Sequence, residues 1–143
     1  MASASYYPRA AALTAGGLSV VLLLATWLGW SLLPPDLQQQ FTGVQLGTLI
    51  FFVLVMIAMM LGIGLSNVRV DDHGLAIRNG VRRHRIGWAE ITGFRFSPDD
   101  PWAYVLLADD PGSRPMIAVQ RVDGARARSF LAEVVARLEA HRG

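Results

Sequence analysis

Residues 44–65 carry no charge and no proline, and their one amide is Gln45. A stretch of this kind has few structural solutions. As an α-helix it is about 33 Å long at roughly 1.5 Å per residue, which matches a bilayer hydrocarbon core of about 30 Å. Thirteen of its residues are Leu, Ile, Val or Phe, and at roughly −0.4 kcal/mol each they favour insertion by about 5 kcal/mol. The competing solution is a buried core helix. A chain of 143 residues has too little other mass to enclose a helix that is apolar on every side. The stretch reads as a membrane span.

A second span precedes it. Residues 10–33 are also uncharged, with a Leu/Val-rich centre and with Trp27 and Trp30 toward the far end. A cleaved signal peptide is the alternative, but the apolar run exceeds a usual h-region and ends in Ser31-Leu32-Leu33-Pro34-Pro35 without a small-x-small cleavage site. Pro34 and Pro35 stop the first helix, so residues 34–43 form a short loop. Residues 1–9 read as a cytoplasmic or interfacial tail, with Tyr6 and Tyr7 placed for an aromatic belt. The loop holds only Asp36, whereas Arg69, Arg78, Arg82, Arg83 and Arg85 follow the second span. The positive-inside rule therefore puts both termini in the cytoplasm of a multi-pass protein of the plasma (inner) membrane, with the loop outside. Small residues four apart, Gly43/Gly47, Ala25/Gly29 and Ala58/Gly62, suit close approach of the two helices or of two copies.

Residues 66–143 change period. Val68 and Val70 alternate with Arg69, and Leu75 and Ile77 alternate with Ala76 and Arg78, around the turn cluster Asp71-Asp72-His73-Gly74. At Asn79-Gly80 a two-residue turn conflicts with the apolar pattern, so a longer loop through Val81 and Arg82 is expected. Trp88 and Ile91 are spaced as in one helical turn. A strand with Phe94 and Phe96 follows, then strands over residues 104–108 and 116–120, separated by the turns Ser97-Pro98-Asp99-Asp100-Pro101 and Asp109-Asp110-Pro111-Gly112-Ser113. Asp123 reads as the N-cap of a final helix, with Ala127, Phe130, Leu131, Val134, Val135 and Leu138 on one side. Six or seven short strands and one amphipathic helix predict an α+β lobe, a half-open antiparallel β-barrel capped by the C-terminal helix. Its core is expected to rest on Trp88, Ile91, Phe94, Phe96, Trp102 and Phe130, the aromatic residues contributing about 1.5–3 kcal/mol or more each.

Chemistry is sparse. With no cysteine, a disulfide, thiolate metal site or cysteine nucleophile is excluded. His73, His84 and His141 have no shared spacing and read as solvated, with His141 at a frayed chain end. The Asp-Asp pairs sit in turn sequences without the ligand spacing of a calcium loop. No phosphate loop or nucleophile elbow occurs. The expectation is a non-enzymatic protein with no catalytic residue, cofactor or metal.

The residues do carry a resemblance. Gly74-Leu75-Ala76-Ile77-Arg78-Asn79-Gly80, the basic run to Arg85, Ile86-Gly87-Trp88-Ala89-Glu90-Ile91 and the helix after Asp123-Gly124 resemble the bacterial pleckstrin-homology (PH) domain of small actinobacterial two-span membrane proteins, some called low-molecular-weight protein antigens. The resemblance implies a PH-like fold. Lipid-binding PH domains place basic residues around the first hairpin loop; here that loop is Asp71-Asp72-His73, which argues against phosphoinositide binding there. The leading expectation is a membrane-anchored interaction module that binds a protein partner or its own copy. An anionic-lipid sensor and an accessory subunit of a membrane or envelope complex are the alternatives. Arg82, Arg83 and Arg85 are the candidate lipid or partner contacts, weighed against a bland role in setting topology and protecting a strand edge. Nucleic acid is disfavoured, because acidic residues nearly balance the lobe's arginines and no aromatic interrupts the basic run.

Overall fold

The computed structural model describes residues 3–109 and 113–143. Helices α1 (Arg9–Leu32) and α3 (Gly43–Gly64) form an apolar hairpin, with a one-turn helix α2 (Pro35–Gln38) in the connection. Both long helices are apolar and long enough to cross a membrane. No residue in the most apolar stretch of α3 is buried by the protein itself, so its side chains need a nonaqueous surrounding.

The helix ends explain where the hairpin turns. Pro34 and Pro35 terminate α1, and the Gln38 side-chain amide donates to the Trp30 and Leu33 carbonyls at 2.8 and 3.2 Å, satisfying acceptors left open at the helix end. Thr42 caps α3 by accepting from the Gln45 amide at 3.2 Å, while Gln45 Oε1 accepts from the Thr42 amide at 3.0 Å, a reciprocal capping box. The helices are in close contact at Gly64, where a Cβ would stand 3.1 Å from the Ala12 Cα. Gly29, Gly43, Gly47 and Gly62 have open space at that position, so these glycines are not points of close approach between the two helices.

The lobe holds strands β2 (Asn67–Asp71), β3 (Gly74–Asn79), β4 (Arg82–Gly87), β5 (Ile91–Arg95), β6 (Trp102–Leu107) and β7 (Ser113–Gln120), followed by helix α4 (Ala125–Arg142). Single 3-10 turns stand at Trp88–Glu90 and Arg121–Asp123. A further strand, β1 (Ala4–Tyr6), precedes the hairpin and pairs antiparallel with β2, setting Ala4 opposite Val70, Ser5 opposite Arg69 and Tyr6 opposite Val68. The sheets are ordered β1-β2-β3-β4 and β5-β6-β7. Together with α4 they make a PH-like, half-open arrangement, not a closed barrel. Their facing sides and α4 enclose one core, including Val68, Val70, Leu75, Ile77, Val105, Met116, Phe130 and Val134.

Several sequence expectations need correction. The N-terminal tail folds with the lobe, and Tyr6 does not stand in an aromatic belt: it is buried in the lobe, because the phenol ring completes the core beside Phe130 at a centroid distance of 4.9 Å. The β3–β4 connection is a two-residue turn, Gly80-Val81, between paired Asn79 and Arg82. Gly80 has φ +63°, as the first central position of a II′-type turn requires, and this register sets Leu75 opposite Ile86. Helix α4 starts after Gly124, whose φ is +59°, without a side-chain cap; Asp123 instead accepts a hydrogen bond from Tyr6. Phe96 lies just past β5. Of the expected turn at residues 109–113, Asp110-Pro111-Gly112 fall outside the described residues.

Candidate functional site

The strand pleat decides which side chains share the outer face of the first sheet. Val68, Val70, Leu75, Ile77 and Ile86 point into the core, so period two turns Arg69, Ala76, Arg78, Arg83 and Arg85 outward. Register then aligns them. Arg69, Ala76 and Arg85 form one cross-strand row, and Asn67, Arg78 and Arg83 form the next. The four arginines line a groove of about 390 Å³, with the small Ala76 leaving room between Arg69 and Arg85.

Charge in the groove is only partly compensated. Arg85 Nη2 lies 3.1 Å from Asp71 Oδ2, and both are exposed enough that the pair contributes only about 0–1 kcal/mol. The Asp71 carboxyl is held below the usual carboxylate range by the His73 backbone amide, its largest cause, with Arg85 and the Gly74 amide adding to the effect. Arg78 donates from Nε to the Gly80 carbonyl at 2.8 Å. Arg69 and Arg83 have no hydrogen-bond or carboxylate partner among the described residues.

The sequence candidates divide between surface and core. Arg83 and Arg85 are exposed and line the groove, while Arg82, exposed at the start of β4, does not. Arg69 and Arg78 complete the groove and were missed as candidates; their signal was an outward parity shared with Arg83 and Arg85, readable only once the Gly80-Val81 turn fixes the register. Trp88, Ile91 and Phe130 are buried, with Phe94 and Phe96 half-buried against the same core. Trp88 donates from Nε1 to the Asp71 carbonyl at 3.2 Å and stacks on His141 at 4.9 Å. His141 is therefore fastened, not frayed, and it also contacts the Asp72 carbonyl at 3.1 Å. The neighbouring Arg142 donates to the Ile91 and Thr92 carbonyls at 2.9 and 2.8 Å. Among the described residues no cluster of three or more His, Asp or Glu side chains is placed to hold a metal ion.

Residues 66–142 match the family described as Bacterial PH domain. The chain belongs to that family. It is an interaction-module family. Among curated proteins the chain is similar to the uncharacterized protein Rv1417 of Mycobacterium tuberculosis and the uncharacterized protein Mb1452 of Mycobacterium bovis, each 34% identical over 89 residues. That alignment takes in 62% of this chain and 57% of each relative, so the chain spans little more than half the length of the relatives it matches. No solved structure matches it.

Proposed function

We propose that this PH-domain protein is a membrane-anchored, non-catalytic interaction module, with residues 10–33 and 44–65 in the plasma membrane, residues 34–43 outside, and both termini and the lobe of residues 66–143 in the cytoplasm. The observation that carries the reading is that the lobe is fastened to the hairpin from both sides. Strand β1 runs directly into α1 and pairs with β2. At the other helix, Ser66 follows α3, donates to the Gly62 carbonyl at 3.2 Å and accepts from the Gly80 amide at 3.0 Å. A lobe held this way presents its surfaces at a set height and orientation, as recruitment beside a membrane requires. The excess of arginine after α3 over the connection's single Asp36 supports the cytoplasmic assignment.

The partner in this reading is a protein or a second copy. Strand β4 is a sheet edge, and an extended segment adds to such an edge through main-chain hydrogen bonds. Photo-crosslinking of the full chain in cells tests it, with the reactive residue placed at His84 on β4 or at Leu54 on α3. A discrete adduct from His84 supports recruitment by the lobe. An adduct only from Leu54 assigns the contact to the hairpin instead, as in an accessory subunit. A second reading, contact with an anionic leaflet, is favoured by the arginine-lined face.

A further inference from the structure

Arg69, Arg78, Arg83 and Arg85 bring four guanidinium groups to one groove, and among the described residues only Arg85 of the four has a carboxylate partner, Asp71. Like charges gathered on one face repel one another, so an anion between them relieves a cost that the chain itself leaves standing. The groove also has a defined height. The Gly80 amide is bonded to Ser66, which is bonded in turn to the last turn of α3, so the β3–β4 turn sits at the helix end. Where α3 leaves the hydrocarbon, the headgroup layer extends roughly 5–7 Å further. The row of Asn67, Arg78 and Arg83 begins in that layer. The row of Arg69 and Arg85 lies two residues farther along the strands, about 7 Å away.

We propose that this groove binds the phosphate of an anionic phospholipid headgroup from the leaflet that α3 leaves, an inference that rests on the leaflet reading above. Each guanidinium offers a planar fork of N–H donors that matches phosphate oxygens two at a time. Ala76 supplies the floor. The site is an open sheet face that meets the acidic first hairpin loop Asp71-Asp72-His73 only at its far edge, where Arg85 pairs with Asp71. Arg82 directly follows the Gly80-Val81 turn that Ser66 holds at the helix end but stands outside the groove, which gives the proposal an internal control.

The test uses the full chain in nanodiscs of phosphatidylcholine containing a minority of phosphatidylglycerol, with retained lipids counted by native mass spectrometry. The expected result is preferential retention of phosphatidylglycerol that falls about tenfold or more in R78Q/R83Q, since each basic residue near the surface contributes roughly 1 kcal/mol. R69Q/R85Q falls in the same direction. R82Q/R128Q, which removes the same charge elsewhere, keeps the preference. Circular dichroism melting checks that each variant is folded. Equal loss in both charge-matched sets leaves leaflet contact standing but overturns the groove as a site. Absence of any preference in the parent overturns both the site and the leaflet reading. Inorganic phosphate that displaces phosphatidylglycerol at comparable concentration makes this a soluble-phosphate site and overturns the lipid assignment.

Discussion

The Tyr6 hydroxyl donates to Asp123 Oδ2 at 2.7 Å across 117 residues of sequence. This bond ties the strand that enters the first helix to the 3-10 turn that launches the last. Arg126 completes the group, its guanidinium 4.2 Å from the Tyr6 ring centroid and 3.7 Å from Asp123 Oδ2. Tyr6→Phe keeps the ring and removes the donor, so it should cost about 1–3 kcal/mol. Tyr6→Ala also empties a core position and should cost about 3–5 kcal/mol. Thermal melting of the full chain in nanodiscs ranks the two; equal melting of Tyr6→Ala and the parent would place Tyr6 outside the core.

The same phenol gives the lobe an alkaline limit. Burial is the largest cause holding the Tyr6 pKa above its ordinary value, and the bond to Asp123 adds to it. A folded-state pKa above the unfolded one means that the contribution is complete below about pH 10 and is lost as pH rises toward the folded value. The stability gap between the parent and Tyr6→Phe should therefore narrow above about pH 10. A gap that stays constant to higher pH would show that the phenol titrates alike in both states.

Trp88 is the corner of the lobe between β4 and β5. Trp88→Ala should cost about 3–5 kcal/mol, because it removes a buried indole, its stacking on His141 and its bond to the Asp71 carbonyl. Melting within a few degrees of the parent would make Trp88 a surface contact.

Gly74 tests the first hairpin. Its φ is +146°, and a Cβ there would stand 2.0 Å from the Ile86 carbonyl oxygen, a backbone atom held in the β3–β4 ladder. Gly74→Ala should therefore destabilise by more than about 3 kcal/mol. Gly124→Ala meets open space and has only the positive φ to resist it, so it should cost less. A reversed order would mean that the β3–β4 ladder yields freely.

Much of this architecture is legible because its signals are local. The apolar runs give α1 and α3, the alternation of Val68, Val70, Leu75 and Ile77 gives two strands, and the Trp88 to Ile91 spacing marks the 3-10 turn. The rest depends on distant pairing. Nothing in Ala4-Ser5-Tyr6 announces a strand, since three residues gain their ladder only when β2 returns beside them after the hairpin. Asn79-Gly80 misleads for a specific reason: Asn79 occupies a strand position because its side chain bridges the two sheets, donating to the Pro115 carbonyl at 2.7 Å and accepting from the Ile117 amide at 3.1 Å. With that register misjudged, Arg69 and Arg78 do not line up with Arg83 and Arg85.

Topology is open to direct labelling, since the chain has no native cysteine. A cysteine at Gln39, in the connection, should react with an impermeant thiol reagent in intact cells. One at Asp99, in the exposed turn between β5 and β6, should react only after lysis. The reverse pattern would invert the hairpin.

Strand β1, before α1, and strand β2, after α3, meet as one sheet, which in a membrane-spanning hairpin requires both to lie on the same side of the membrane. Ser5 and Arg69 are directly paired across β1 and β2 and both are exposed, and facing antiparallel residues have Cα separations of about 4.5–5.5 Å, within disulfide reach. S5C/R69C in native membranes should form an intrachain cross-link on mild oxidation, read as two fragments that stay joined after proteolysis in the residue 34–43 connection until reductant is added. A76C/R85C, paired across β3 and β4, reports that the lobe is folded and oxidisable. Cross-linking of that control pair without any cross-link between positions 5 and 69 would mean that β1 does not pair with β2 in the membrane.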